Sequence, residues 1–338
     1  SSNSTGNDNT GVGYYALQGN TTASRNVGVG NSALVAATTG GENTAVGEQA
    51  LKSLTTGTLN TALGRHALTK QTTASHNTAI GAYAMRYNNN ATGCVAVGLE
   101  ALRGTSDGSP LSGNYNTAVG YGALLANTTA TDNTAVGYGA LTNNTTGSDN
   151  TAVGKNALVT NTTGYRNTCV GNAAGDSIST GFRNTCIGDI AGETLGTGEN
   201  CLILGYNAQS SAGDSANQIT LGDANISYFR CNVQTINALS DGRDKTDVVD
   251  LPLGVDFINK LRPVKFKWDR RTPDETNGKV RAGFIAQELQ EAQKGSEFMD
   301  LVLDENPDKL EAAYANLIPP MVQAIKELSA QNEALVAR

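Results

Sequence analysis

No apolar run in the 338-residue chain approaches the ~20 residues that cross a bilayer. No leader with a basic start and an apolar middle opens it. Membrane insertion is therefore not expected. The net charge is −7 and neither half carries a basic patch, which argues against a nucleic-acid partner. The five cysteines, Cys94, Cys169, Cys186, Cys201 and Cys231, form no metal or redox spacing. His66 and His76 sit in turn-like or surface contexts without a partner cluster. No metal or other cofactor is expected, and no paired carboxylates stand out as glycan-cleaving groups. The chain opens at Ser1-Ser2 rather than at methionine, and an anchoring region upstream of it is expected.

What the sequence does contain is repetition. NTAVGYGAL occurs at Asn116–Leu124 and again at Asn133–Leu141, with close variants from Asn43, Asn60 and Asn150. The motif glycines fall at Gly13, Gly30, Gly47, Gly64, Gly81 and Gly98, then at Gly120, Gly137, Gly154, Gly171, Gly188, Gly205 and Gly222. Every step but one is 17 residues, and thirteen copies at a fixed short period are the mark of a solenoid whose coils bury their apolar side against neighbours. The irregular step carries an insertion near residues 104–113, rich in turn formers through Pro110, which reads as a loop bulging from one coil.

Thr-Ala-Val-Gly alternates as a short strand does, and the Ala-Leu that follows reads as the start of a second. No 3.6-residue apolar period argues for helix. The expected coil has two short strands and two turns, a flattened parallel β-coil stacked ~4.8 Å from the next. The motif asparagines suit either ladders bonded from coil to coil or plain turns. Cys169 and Cys186 share one repeat position, as a disulfide or as small buried thiols. Tyr14, Tyr121, Tyr138 and Tyr206 follow motif glycines and are sugar platforms or outward ladder residues. On the Asn-Thr-Ala-Val-Gly core, residues 9–222 resemble the head repeats of trimeric autotransporter adhesins and the β-coil shafts of phage tail fibres.

The style then changes. Residues 1–230 hold 23 charged residues and one proline, whereas residues 231–338 hold 32 charged residues, six prolines and Trp268. Two domains are expected, divided near 230. The second opens with ALSDGRDKTDV and continues with LRPVKFKW, AGFIAQEL and YANLIPPMVQAIKELSAQ. In this order and spacing the four motifs resemble the intramolecular chaperone auto-processing domain that ends phage endosialidases and many tail fibres. Gly242 and Asp244 depart from the commoner fillers of its first motif.

That resemblance implies self-cleavage between Leu239 and Ser240 by a Ser240–Lys245 dyad, a serine endopeptidase acting once on its own chain. The chemistry is coherent, because a serine hydroxyl needs a base and a lysine becomes one when burial lowers its pKa. Five residues apart, the two side chains meet if a turn lies between them. Ser240-Asp241 also reads as a simple helix cap, and Asp241 and Arg243 as supports of the loop. Over about 316–337, Ile318, Met321, Ile325, Leu328, Asn332 and Leu335 are spaced 3, 4, 3, 4, 3, an a/d seam suited to a homotrimeric coiled coil or to packing within one chain. Pro319 and Pro320 fit the start of that helix.

The expectation is a mainly β chain. A parallel solenoid forms a trimeric rod, and a small α+β chaperone with a C-terminal helix directs trimerisation before cutting itself off. The setting that follows is a virion tail fibre or spike attaching to a host glycan or protein receptor. The alternative is a bacterial cell-surface adhesin with the same chaperone.

Overall fold

The computed structural model describes residues 2–105, 112–226, 240–269, 277–304 and 310–337. It divides into two units, Ser1–Asp223 and Ala224–Arg338. In the first, thirteen three-residue strands, β1 (Thr10–Val12) to β13 (Ile219–Leu221), form one sheet in sequence order. Neighbours pair in parallel with a constant offset of one repeat, as in Ala135 beside Ala152. Twelve steps of ~4.8 Å give a sheet on the order of 60 Å long. Across the long step Val95 still faces Thr117, so the extra residues leave the register intact. The expected bulge falls on residues 106–111, outside the described residues.

From the second strand to the twelfth the central residue points inward and is buried, while its neighbours, mostly Thr and Val, face out. The outward residue before the motif glycine is Val, Ile or Leu in all thirteen coils, from Val12 to Leu221. Many of these are substantially exposed, Leu63 at 47% and Ile187 at 43%. Together they make an apolar column along one face of the sheet.

The second expected strand does not form at Ala-Leu. Leu34, Leu51, Leu68, Leu102, Leu124, Leu141 and Leu158 have φ between 48° and 54° and are completely buried. A left-handed conformation costs a non-glycine residue roughly 1–2 kcal/mol. Burying a leucine side chain contributes about 1.5–3 kcal/mol, enough to offset it. The chain turns inward at each leucine and stacks these side chains into a continuous core with the alanines. Isolated parallel bridges join Phe182, Glu199 and Ala216 on another side of the coil.

Two devices lock one coil to the next. The motif glycines before Gly222 adopt φ of +122° to +141°. A Cβ added at Gly137 would lie 2.4 Å from the carbonyl oxygen of Gly154 in the following coil. Glycine is thus required both by backbone angle and by close approach. The asparagines form ladders and do so from within turns, so both readings of them hold. The Asn133 backbone N–H donates to Asn116 Oδ1 at 3.0 Å. Its Nδ2 donates to the Gly147 carbonyl, also at 3.0 Å, and its Oδ1 accepts from the Asn150 N–H at 3.0 Å. Each such side chain, fully buried, satisfies backbone groups of its neighbours that have no strand partner. Cys94 and Cys201 occupy this asparagine position, and their own N–H groups still donate to the asparagine before.

Cys169 faces Cys186 in register as buried thiols rather than a disulfide. Burial first, then the neighbouring thiol, pushes the Cys169 pKa up, and burial pushes Cys94 up to about 11. Tyr121 and Tyr138 stack at 5.2 Å as outward ladder residues. His66 corrects the surface reading: only 8% of it is exposed, and it stacks on Tyr83 at 5.4 Å. Aromatic stacking from the adjacent coil covers a position that is otherwise solvent-facing.

Asn133→Ala leaves the Asn150 N–H buried and unbonded, at about 1–3 kcal/mol, and leaves the Gly147 carbonyl with Asn144 Nδ2 alone. Gly137→Ala forces a clash at a positive φ. Both variants should unfold faster in guanidinium than the parent, followed by circular dichroism. Thr146→Ala and Gly213→Ala, at exposed positions, should not.

Candidate active site

The second unit is built from three of the four sequence motifs. LRPVKFKW supplies β14 (Val264–Lys267), and β15 (Val280–Gly283) pairs with it antiparallel, Val264 against Gly283. AGFIAQEL ends β15 and begins α2 (Ala286–Ala292). YANLIPP forms a 3-10 turn, Tyr314–Leu317, and the start of α3 (Ile318–Val336), with its prolines in the first helical turn where their missing N–H groups cost nothing. Arg262 pairs with Glu288, and Tyr314 packs edge-on against Phe284 at 5.5 Å while accepting the Phe284 N–H at 3.2 Å. The motifs are thereby tied to one another. Beneath them lies a core of Phe257, Leu289, Met299, Leu301, Val302 and Leu317. A short ladder, β16 (Val302–Leu303) with β17 (Glu311–Ala312), closes it.

Helix α1 (Val255–Ile258) is held by α3. The Val255 N–H donates to Glu327 Oε2 at 2.8 Å. Gly254 makes room for this contact, since a Cβ there would fall 2.0 Å from Glu327 Oε1. The carboxylate thus sits on the unsatisfied N–H groups of a helix start. On α3, Pro320 and Ala324 are buried, whereas Ile318, Met321, Ile325, Leu328 and Leu335 are all exposed. Asn332 lies on the same exposed stretch. The a/d residues are therefore not used for packing within the chain. Among the described residues no helix is long and apolar enough to cross a membrane.

The remaining motif carries the chemistry. Asp241 caps a single 3-10 turn, Gly242–Asp244, accepting the Arg243 N–H at 2.9 Å. The Arg243 guanidinium folds back on the same carboxylate, with Nε at 3.1 Å from both oxygens. That guanidinium first, then the backbone N–H, holds the Asp241 carboxyl below its ordinary value. The turn brings Lys245 back over Ser240: Nζ donates to Oγ at 2.6 Å. A lysine that has lost its proton would accept from the same hydroxyl across the same contact. Every residue from Ser240 to Asp250 is exposed within the single chain. Leu239 lies outside the described residues. No group of three or more metal-ligating side chains occurs among the described residues.

Residues 240–303 match the family described as chaperone of endosialidase, a peptidase family by its name. The match begins at Ser240 itself and ends before α3. No curated protein and no solved structure matches the chain. A 17-residue-repeat β-solenoid followed by an endosialidase-type chaperone segment is therefore what the chain carries.

The capping carboxylate makes this unit sensitive to acid. The Val255 N–H, then the Gln323 amide, lower the Glu327 pKa from its ordinary 4.5. A group lowered by folding contributes stability above its unfolded value and loses it as pH falls through the folded one. Glu288, lowered by Arg262, acts in the same sense. Unfolding followed by the fluorescence of Trp268, the sole tryptophan, should shift to lower temperature as pH drops below about 4.5. Glu327→Gln should flatten part of that dependence.

Proposed function

We propose that this chain is a segment of a homotrimeric tail fibre or spike for host attachment. Its C-terminal unit aligns three chains and then severs itself between Leu239 and Ser240. The observation that carries the reading is the 2.6 Å contact of Lys245 Nζ with Ser240 Oγ, at the first residue of the chaperone match.

In the reaction, Lys245 takes the hydroxyl proton and Ser240 Oγ attacks the Leu239 carbonyl. The Leu239–Ser240 peptide bond breaks, the proton passes to the departing Ser240 amine, and an ester links Leu239 to Oγ. Water hydrolyses that ester to a Leu239 carboxylate and a free Ser240 hydroxyl. A lysine acts as base where desolvation disfavours its charged form. The exposed turn has no such cover within one chain, so the reading assigns the cover to assembly, which makes cutting follow alignment.

Two surfaces support the trimer. One is the exposed a/d face of α3. The other is the column from Val12 to Leu221, in which Val12, Leu63, Ile80, Val153, Ile187 and Leu221 are exposed and the rest partly exposed; a contiguous apolar patch of this kind marks an interaction surface. The three solenoids would meet along this column, each chain coiling by itself. A virion tail is the setting, with a host glycan or protein as receptor.

Unmutated protein should yield a fragment beginning at Ser240 by mass spectrometry. Ser240→Ala and Lys245→Ala should stay full length and trimeric, and intact unmutated chain would count against the dyad. Expression of residues 1–239 alone should give aggregate, whereas the same rod left by cleavage after folding should stay soluble on size exclusion. The paired change Val119→Lys and Val136→Lys should weaken trimers of the solenoid without altering the β signature of a single coil.

A further inference from the structure

The overall acidity hides a local reversal, which revises the expectation that neither half has a basic patch. Residues 48–104 contain five cations, Lys52, Arg65, Lys70, Arg86 and Arg103, against two carboxylates, Glu48 and Glu100. Residues 105–223 contain three cations against nine carboxylates. All five cations lie within six residues after a motif glycine, where later coils carry mostly neutral residues, although Lys155, Asp176, Asp189 and Glu193 are charged. A repeat protein states its particular chemistry where it departs from its own repeat, and here five of the seven charged departures are cations.

Their arrangement is specific. Arg65 and Arg103 are paired, with Glu48 at 3.1 Å and Glu100 at 2.9 Å. Arg86 meets no carboxylate among the described residues. Its guanidinium lies over two rings, 5.0 Å from the Tyr83 centroid and 5.1 Å from that of Tyr87. Its Nε is buried without a hydrogen-bond partner. Tyr83 is itself fixed, stacked on His66 and bonded at its hydroxyl by Arg65 at 2.5 Å. The rings therefore hold an arginine in place while leaving its charge uncompensated. Exposed Lys70 stands on the preceding coil and exposed Lys52 on the coil before that.

We infer that this face binds an acidic saccharide. Arg86, Lys52 and Lys70 meet its carboxylate or sulfate groups, and Tyr87 offers a ring face to the sugar. Coils ~4.8 Å apart let a linear polyanion running along the sheet meet cations in succession. Nucleic acid fits less well, because the cations are few, two carboxylates lie among them, and the following coils are acidic. The inference rests on the attachment reading and gives it a site and a ligand class.

The test uses the full chain at about 0.15 M salt, a Debye length of ~8 Å. Binding is measured to heparin and hyaluronate as sulfated and carboxylated probes, to dextran as a neutral one, and to single-stranded DNA. Heparin or hyaluronate should bind, dextran should not, and higher salt should weaken the complex. Arg86→Ala and Lys70→Glu should each raise the Kd at least tenfold with the thermal midpoint unchanged, and Lys155→Ala, at an exposed site outside the face, should not. Equal binding to dextran, DNA binding that matches heparin, or an unaltered Arg86→Ala would overturn the site. Adhesion to a panel of bacterial cells separates the two readings. Adhesion that survives Arg86→Ala overturns the site and leaves attachment standing, whereas saccharide binding without any adhesion upholds the site and counts against attachment.

Discussion

Everything in the solenoid depends on how closely one coil can approach the next. The glycine rungs set that distance, since a carbonyl occupies the space a Cβ would need. The asparagine ladder then fills the remaining polar demand, each amide serving the coil before and the coil after. Both devices act only between neighbours, so stability is close to a sum of equal interface terms. Equal terms have a consequence for assembly. Sliding one chain by 17 residues along another exchanges each outward valine for a valine, isoleucine or leucine. Alignment must then be supplied by something other than the rungs.

The period was legible in the sequence because the chain repeats its own solution thirteen times. The short strand at Thr-Ala-Val was legible for the same reason, though not that its alanine is the residue that turns inward. What stayed hidden was the conformation of Leu141 and its equivalents. By type, Ala-Leu continues a strand, and only the gain from stacking leucines in one core explains a left-handed residue there. His66 misled in the same way, because its cover comes from Tyr83, seventeen residues on. Short-range chemistry can be read from spacing; cover lent by another coil cannot.

The site divides along the same line. Ser240 and Lys245 meet across one turn, and the Asp241 cap and the Arg243 pair are local, so spacing sufficed to bring them together. Desolvation is not local. The turn from Ser240 to Asp250 is open to solvent, and nothing in the order of its residues says what closes over it. Likewise Glu327 reaches a helix start 72 residues earlier, a contact that Gly254 permits but does not announce.

Helix α3 shows why the second unit suits the role of aligner. One side of it is spent on its own chain, through Pro320, Ala324 and the Glu327 cap. The other side leaves Ile318, Met321, Ile325, Leu328 and Leu335 exposed. A helix held firmly on one side presents its apolar residues without losing their order in the unassembled chain, which lowers the entropy cost of association. In the proposed trimer Asn332 would add register, since a polar residue at an a position tolerates few alignments. The rungs supply length and rigidity but no address along the rod. In the proposed trimer the helix would supply an address with very little length. In the proposed assembly, a cut placed after alignment would leave the solenoid unable to retrace its folding, and its persistence would rest on slow unfolding rather than on equilibrium.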